Sequence, residues 1–423
     1  MYKTSTLSNG VRVVTYDMGK RNSVSIGFWA GVGGRYESDD KKGAAHFLEH
    51  VIFKGSKKYS CEEIKRQIEG VGGSLNAFTT EEQTCYYAKI PAQHLNQTFD
   101  VLADMVFQPL LAKKDVDKER TVIAEEIKMY HDLPQYHVLE LLDALVWPNH
   151  PLGKGLAGTI ETVLAMTHED LHRFHEQYYS PANIVVAVCG RLNHEKVVKL
   201  TEAKLKKIQG AFKREFVPAV RIQDKPRVNL YHKPTEQMHL ILGMQGYDEY
   251  DENRYALNLL NTILGGNMSS RLFVEVRENK GLAYSISSFF KTMHDTGLFA
   301  VRAGVDNQKL IEAMELIFKE LDKIGKHRVG DGEFKRAKEY VLGQIVLGLE
   351  DTMDHMLWIG ENMIAKNKLE TVKEVIRRFE KIKIADIQRV ATEILDRRRY
   401  NLAVVGPLKE AQEKQLKQMM GVK

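Results

Sequence analysis

The sequence predicts an α+β protein of two homologous domains, each a largely antiparallel sheet with helices packed on one face. Three observations carry this. Asp170–Gly190 can be laid without gaps on Asp386–Gly406, an offset of 216 residues at both ends (386 − 170 and 406 − 190), and each stretch reads as a helix running into a buried strand and a glycine. Such an offset, near half of a 423-residue chain, argues for a duplicated domain of about 200 residues. Strand-like and helix-like patterns also mix in both halves without strict strand–helix alternation, which points away from a parallel doubly wound sheet. Finally, Pro218 and Pro226 lie among charges between Gln209 and Arg227, a linker composition that places the domains at 1–212 and 226–423.

Length and composition agree with two domains. A chain of 423 residues exceeds what one hydrophobic core comfortably serves, and 43% apolar residues suffice for folding. The formal net charge is +5, from 61 basic against 56 acidic residues spread along the chain, which gives no case for nucleic acid or anionic membrane as a main partner. The start, Met1–Gly10, carries no apolar signal core and no Arg-rich presequence, and no window reaches the roughly 18 apolar residues of a membrane span. A cytoplasmic location is expected. Cys61, Cys85 and Cys189 are odd in number and widely spaced, with no Cys-x-x-Cys pair, which fits a reducing compartment.

Taken in order, Val11–Tyr16 and Ser23–Trp29 alternate or run β-branched and read as two strands joined by a polar turn over Gly19–Asn22. The Gly31–Asp40 loop leads to Gly43–Phe53, an apolar run interrupted by His46, Glu49 and His50, with Gly55 as its stop. On a helix advancing about 100° per residue, His50 lies about 40° from His46 and Glu49 about 60° to the other side, so all three share one face. Phe47, Leu48, Val51 and Ile52 make the rest of the helix apolar, leaving a single polar notch in a buried element. Two neutral imidazoles at i, i+4 can grip Zn²⁺, a metal that acidifies water, beside a carboxylate able to take the proton. The pattern is short, and a pair of core histidines bonded to backbone carbonyls is the competing reading.

Glu62–Glu69 is a second helix with Ile64 and Ile68 on one face, broken by Gly70, Gly72 and Gly73. Ser74–Thr80 and Thr84–Ile90 then form a hairpin. His94–Phe107 is a helix stopped by Pro109, and Asp115–Tyr130 another, with Val116, Ile123 and Ile127 in its apolar stripe. Glu119 and Glu126 are seven residues apart there, a rotation of only about −20°, whereas Glu125 points about 100° away from Glu126. If this helix supplies a third metal ligand, Glu126 is the better candidate, with Glu119 behind it; a solvated acidic face is the alternative. A helix over Leu139–Trp147 precedes a loop containing Pro148 and Pro151. In the second half, Tyr255–Leu264 is a helix, and Gly265-Gly266 leads into another. That turn lacks Gly-Lys-Ser/Thr and the dinucleotide spacing, so it reads as a hinge or tight turn and not as a phosphate cradle. Arg277 and Tyr284 flank a helix end at Gly281 and show no mechanism in isolation.

Taken together, His46-Phe-Leu-Glu-His50, Glu119 with Glu126, and Arg277 with Tyr284 resemble the inverzincin metallopeptidases of the pitrilysin, insulysin and mitochondrial processing peptidase family, in its short bacterial-type branch. Glu126 follows His50 by 76 residues (126 − 50), the spacing of the family's third ligand, and Glu119 precedes it by seven, as the family's assisting Glu does. Leu75, Asn76, Ala77 and Phe78 resemble its substrate-binding edge strand, and Leu264–Tyr284 its Gly-rich segment and Arg/Tyr pair. The resemblance covers nearly the whole chain.

It implies half of a clamshell per chain, and a homodimer with composite active sites. It implies one Zn²⁺ per chain on His46, His50 and Glu126, with Glu49 as general base and Glu119 assisting. Tyr284 would donate to the developing oxyanion and Arg277 would anchor substrate backbone. The substrate would be a peptide or unfolded segment, added as a strand inside an enclosed chamber. Some relatives are non-catalytic core or assembly subunits; these usually lose a ligand or the base, and no motif position departs here. A purely structural zinc site would need four protein ligands, and only three are nominated.

Overall fold

Runs of β-branched residues suit the pleated backbone, and in the computed structural model, which describes residues 1–210, 215–220 and 223–422, they build two sheets. The first contains β1 (Tyr2–Thr6), β2 (Arg12–Asp17), β3 (Ser23–Ala30), β4 (Ser74–Thr79), β5 (Thr84–Pro91) and β6 (Ile184–Gly190), in the order β1-β2-β6-β3-β5-β4. Only β2 and β6 run parallel. The second contains β7 (Arg227–His232), β8 (Gln237–Gly246), β9 (Ala283–Thr292), β10 (Gly297–Asp306) and β11 (Asn401–Gly406), in the order β7-β11-β8-β10-β9, and only β7 and β11 run parallel.

The duplication is visible in this topology. The two aligned stretches become the helix His168–Tyr178 with β6 and the helix Ile384–Ile394 with β11. In each sheet that strand lies between a parallel neighbour and an antiparallel one, β2 and β3 in the first, β7 and β8 in the second. Sheets and helices therefore form the expected α+β layers. One addition was not expected: helices cover both faces of each sheet. Ala44–Ile52, Leu95–Phe107 and His168–Tyr178 enclose one core with Ile26, Phe28, Val186 and Val188. On the other face, Thr352–Lys366 packs Met356 and Ile359 on Val14, Trp29, Val185 and Ala187. In the second sheet, Pro134–Val146 likewise places Val138 and Leu142 on Ile241, Leu298 and Ala403. The reason lies in β6 and β11, whose residues are buried throughout; a strand apolar on both faces needs two covers.

Each outer helix comes from the other half of the sequence, so the compact units are discontinuous: 1–127, 155–217 and 346–371 form one, and 128–154, 218–345 and 372–423 the other. Of the linker expected at Gln209–Arg227, residues 211–214 and 221–222 lie outside the described residues, as does the domain boundary expected at 212.

Two local differences have simple causes. β1 was not anticipated because Tyr2–Thr6 carries no apolar alternation; its backbone simply pairs along β2 at the sheet's edge. The helix expected from Leu139 begins at Pro134, since proline at the first helical position lacks only an N–H that would be unpaired anyway. Among the described residues no helix is long and apolar enough to cross a membrane, and the three cysteines are free thiols.

Candidate active site

The helix Ala44–Ile52 starts at a position only glycine fills comfortably. Gly43 has φ +96°, and a Cβ there would stand 2.4 Å from the Ala157 carbonyl oxygen. Its N-terminus is capped at a distance: the Glu37 carboxylate accepts from Gly43 N–H at 3.0 Å and Ala45 N–H at 2.7 Å. Burial pushes the Glu37 carboxyl up, an effect opposed by the Lys42 ammonium 3.4 Å away and by these two N–H groups. Phe47, Leu48, Val51 and Ile52 are buried in the core, which turns His46, Glu49 and His50 outward into a half-buried notch.

The second element is the helix Lys113–Asp132, held by buried Val116, Ile123 and Ile127. Glu119 is buried and Glu126 half-buried on the side that meets the histidines, whereas Glu125 is exposed. One Glu126 oxygen, Oε2, stands 3.4 Å from His50 Nε2 and 3.8 Å from His46 Nε2. His50 Nδ1–H donates to Glu119 Oε2 at 3.2 Å, and the other Glu119 oxygen pairs with Lys54 Nζ at 2.5 Å. The imidazole rings lie 4.7 Å apart at 61°. Burial, reinforced by His50, presses His46 down to about 4, so it is neutral near pH 7 with a lone pair to give. Burial also raises the Glu49 carboxyl, partly opposed by the Thr79 hydroxyl that donates to it.

These groups fit a zinc ion. The ligand atoms of His46, His50 and Glu126 all lie within 4.8 Å of one another, an N₂O set from three side chains of the kind that leaves a fourth position open. Glu119 on the far nitrogen of His50 fixes that ring's tautomer and direction, a role outer carboxylates commonly play around metals. His46 Nδ1 has no such partner among the described residues.

Leu75, Asn76, Ala77 and Phe78 lie on β4, the outer strand of its sheet, whose only ladder among the described residues is to β5. Phe78 packs edge-on against Trp29 at 5.6 Å, and Leu75 and Ala77 lean on the core, so the strand is anchored while Asn76 is exposed. At its end, Thr79 reaches Glu49 and ties strand to helix. Arg277 and Tyr284 belong to the second unit. Arg277 sits on the π-helical turn Phe273–Asn279, with its guanidinium carbon 4.8 Å from the Phe273 ring centre and 5.7 Å from that of Tyr284. Tyr284 is the second residue of β9, the outer strand of the second sheet, and is 74% exposed.

Sequence reasoning did not single out Thr79 or Lys54. Lys54 follows His50 at i+4, a spacing that could have suggested it; nothing local marks Thr79 as a partner of Glu49.

Comparison with known proteins shows the family. Residues 12–160 match the family described as Insulinase (Peptidase family M16), and residues 165–341 match the Peptidase M16 inactive domain. The chain is 39% identical to an uncharacterized zinc protease of Streptomyces coelicolor over 98% of its own length and 91% of the relative's. It is 37% identical to the uncharacterized zinc protease YmxG of Bacillus subtilis, covering 96% and 98%. Its fold superposes with a TM-score of 0.91 on the crystal structure of a protease from Helicobacter pylori, at 25% identity, covering 96% of this chain and 99% of that one. With motif, fold and full-length relatives in accord, the chain belongs to the insulinase family of peptidases, family M16.

Proposed function

We propose that this protein is a zinc-dependent endopeptidase that hydrolyses peptides or unfolded polypeptide segments. The observation that carries the reading is the convergence of His46 Nε2, His50 Nε2 and a Glu126 oxygen beside a half-buried Glu49 whose carboxyl pKa is raised by burial. His46, His50 and Glu126 hold one Zn²⁺ per chain, and Glu119, braced by Lys54, orients His50. Zinc, when bound there, supplies Lewis acidity that brings a water's pKa toward neutrality. Glu49 accepts the proton of the attacking water and returns it to the leaving amine; its raised affinity for protons suits both halves of that task. The peptide adds as a strand along Leu75–Phe78, whose outward N–H and C=O groups bind main chain with little demand on side chains. That places the scissile bond near Thr79 and Glu49, at the strand's end.

Arg277 and Tyr284 act on the same substrate, Tyr284 donating to the oxyanion and Arg277 holding backbone, with the pair of one chain serving the zinc group of a second in a homodimer that encloses the substrate. The three free thiols support a reducing, cytoplasmic setting. The test is cleavage of a library of internally quenched peptides. Activity is expected to vanish on chelation and to return with Zn²⁺. Cleavage by metal-free protein would overturn the zinc assignment, and no cleavage by zinc-loaded protein would turn the reading toward an assembly subunit built on the same fold.

A further inference from the structure

A second constellation lies at the corner where the helix Lys113–Asp132 gives way to the helix Pro134–Val146. His131 is in the last turn of the first helix, and His137 and Glu140 share a face of the second at i, i+3. His131 Nε2 stands 3.2 Å from Glu140 Oε2, and a ring nitrogen of His137 completes a set whose ligand atoms all lie within 4.8 Å of one another. An ion pair between His131 and Glu140 would explain those two groups without a metal. It would not explain His137. That residue is only 8% exposed, and its Nδ1 is buried with no hydrogen-bond partner among the described residues. Its ring is held by the His131 ring at 5.0 Å and by the edge-on ring of Tyr231 at 4.5 Å. Burying an imidazole nitrogen without a partner is costly, and a cation held by the three side chains would give the His137 ring one.

We propose that His131, His137 and Glu140 form a second divalent-cation site, separate from His46, His50 and Glu126, that takes Zn²⁺ or a similar borderline ion such as Co²⁺ or Ni²⁺. The donor set, two imidazoles and one carboxylate, selects that class over Mg²⁺ or Ca²⁺, which favour oxygen throughout. The site is weaker than the first. His131 and Glu140 are half-exposed, and the Lys233 ammonium, bonded to the His131 carbonyl at 2.9 Å and to Asp132 at 3.2 Å, opposes a nearby cation. Occupancy would clip together two successive helices, the first of which also carries Glu119 and Glu126.

The test is equilibrium dialysis of the metal-free full chain against Zn²⁺ alone, with bound metal measured by atomic emission. Wild type is expected to hold about two ions per chain and the His131→Asn/Glu140→Gln variant about one. The Glu126→Gln variant should also keep about one, and Co²⁺ added to it should produce a visible d–d band that the His131→Asn/Glu140→Gln substitutions abolish. A double variant that binds as many ions as wild type overturns the proposal, whatever Glu126→Gln does, so its failure is separable from failure of the first site. If the double variant lacks a melting transition, Glu140→Gln alone is read by the same criterion.

Discussion

At the scale of single residues, neutrality and proton affinity divide the work. His46 is kept neutral by burial and by His50, whereas Glu49 is made a better proton acceptor by burial, with the Glu126 carboxylate adding to it. Removing the charge of each glutamate should therefore have different consequences. Glu49→Gln should keep its zinc yet lose about three orders of magnitude in turnover, while Glu126→Gln should lose metal as well as activity. Metal analysis alongside kcat separates the two; release of zinc by Glu125→Gln instead would reverse the assignment on that helix. Away from the site, His175 donates from Nε2 to the Val106 carbonyl at 2.7 Å and stacks on Tyr179 at 4.6 Å. Burial lowers its pKa below 6.5 in the folded state. The unfolded chain therefore binds more protons just below pH 6.5, and stability contributed by the neutral ring is present above that pH and lost as pH falls toward the depressed folded value. Denaturant midpoints of wild type and His175→Gln should accordingly converge between pH 7.5 and 5.5, at about these settings. A gap that stays constant would mean that the ring's protonation plays no part.

Among elements, the most demanding contact is the one between the helix Thr352–Lys366 and β3. Gly360 passes directly over Trp29, and a Cβ at that glycine would stand 2.1 Å from the indole Nε1, with two further ring atoms within 2.9 Å. Trp29 is buried and pinned by Phe78 from the β4 side, so the ring has little room to retreat. Gly360→Ala should force the helix outward and cost about 1–3 kcal/mol, seen as a lower melting temperature of the metal-free protein. An unchanged melting temperature would show that the outer helix is loosely seated. The same contact bears on the site, because Trp29 packs on Phe78 of β4 and Thr79, the next residue of that strand, meets Glu49.

For the whole molecule, the proposed action of Arg277 and Tyr284 on the zinc group of a second chain is tested by complementation. Glu49→Gln and Tyr284→Phe should each be inactive. In the proposed homodimer, the two variants unfolded and refolded together would form mixed dimers in which, with the pair acting in trans, one zinc group carries both defects and the other none. Peptidase activity should then reappear in proportion to the mixed fraction, measured by native mass spectrometry. If the pair acts within its own chain, every site in the mixed dimer keeps one defect, and mixing restores nothing.

What the sequence determined by itself is whatever depends on periodicity and spacing. The helical period alone put His46, Glu49 and His50 on one face, and the seven-residue interval put Glu119 and Glu126 on another. The 216-residue offset disclosed the duplication that the two sheets display in the matching order of five strands, β1 being extra in the first. Periodicity cannot say which oxygen meets which nitrogen. Only packing of the two helices brought one Glu126 oxygen to both imidazoles and set Glu119 behind His50 with Lys54 on its far side. Packing likewise made β4 an outer strand, carried Thr79 to Glu49, and laid a helix from each half of the chain on the opposite face of the other half's sheet. The physical reason is the same throughout: a residue's face on its own element is set by local backbone geometry, whereas its partner is set by burial of apolar surface between segments tens to hundreds of residues apart, and no local pattern encodes that choice.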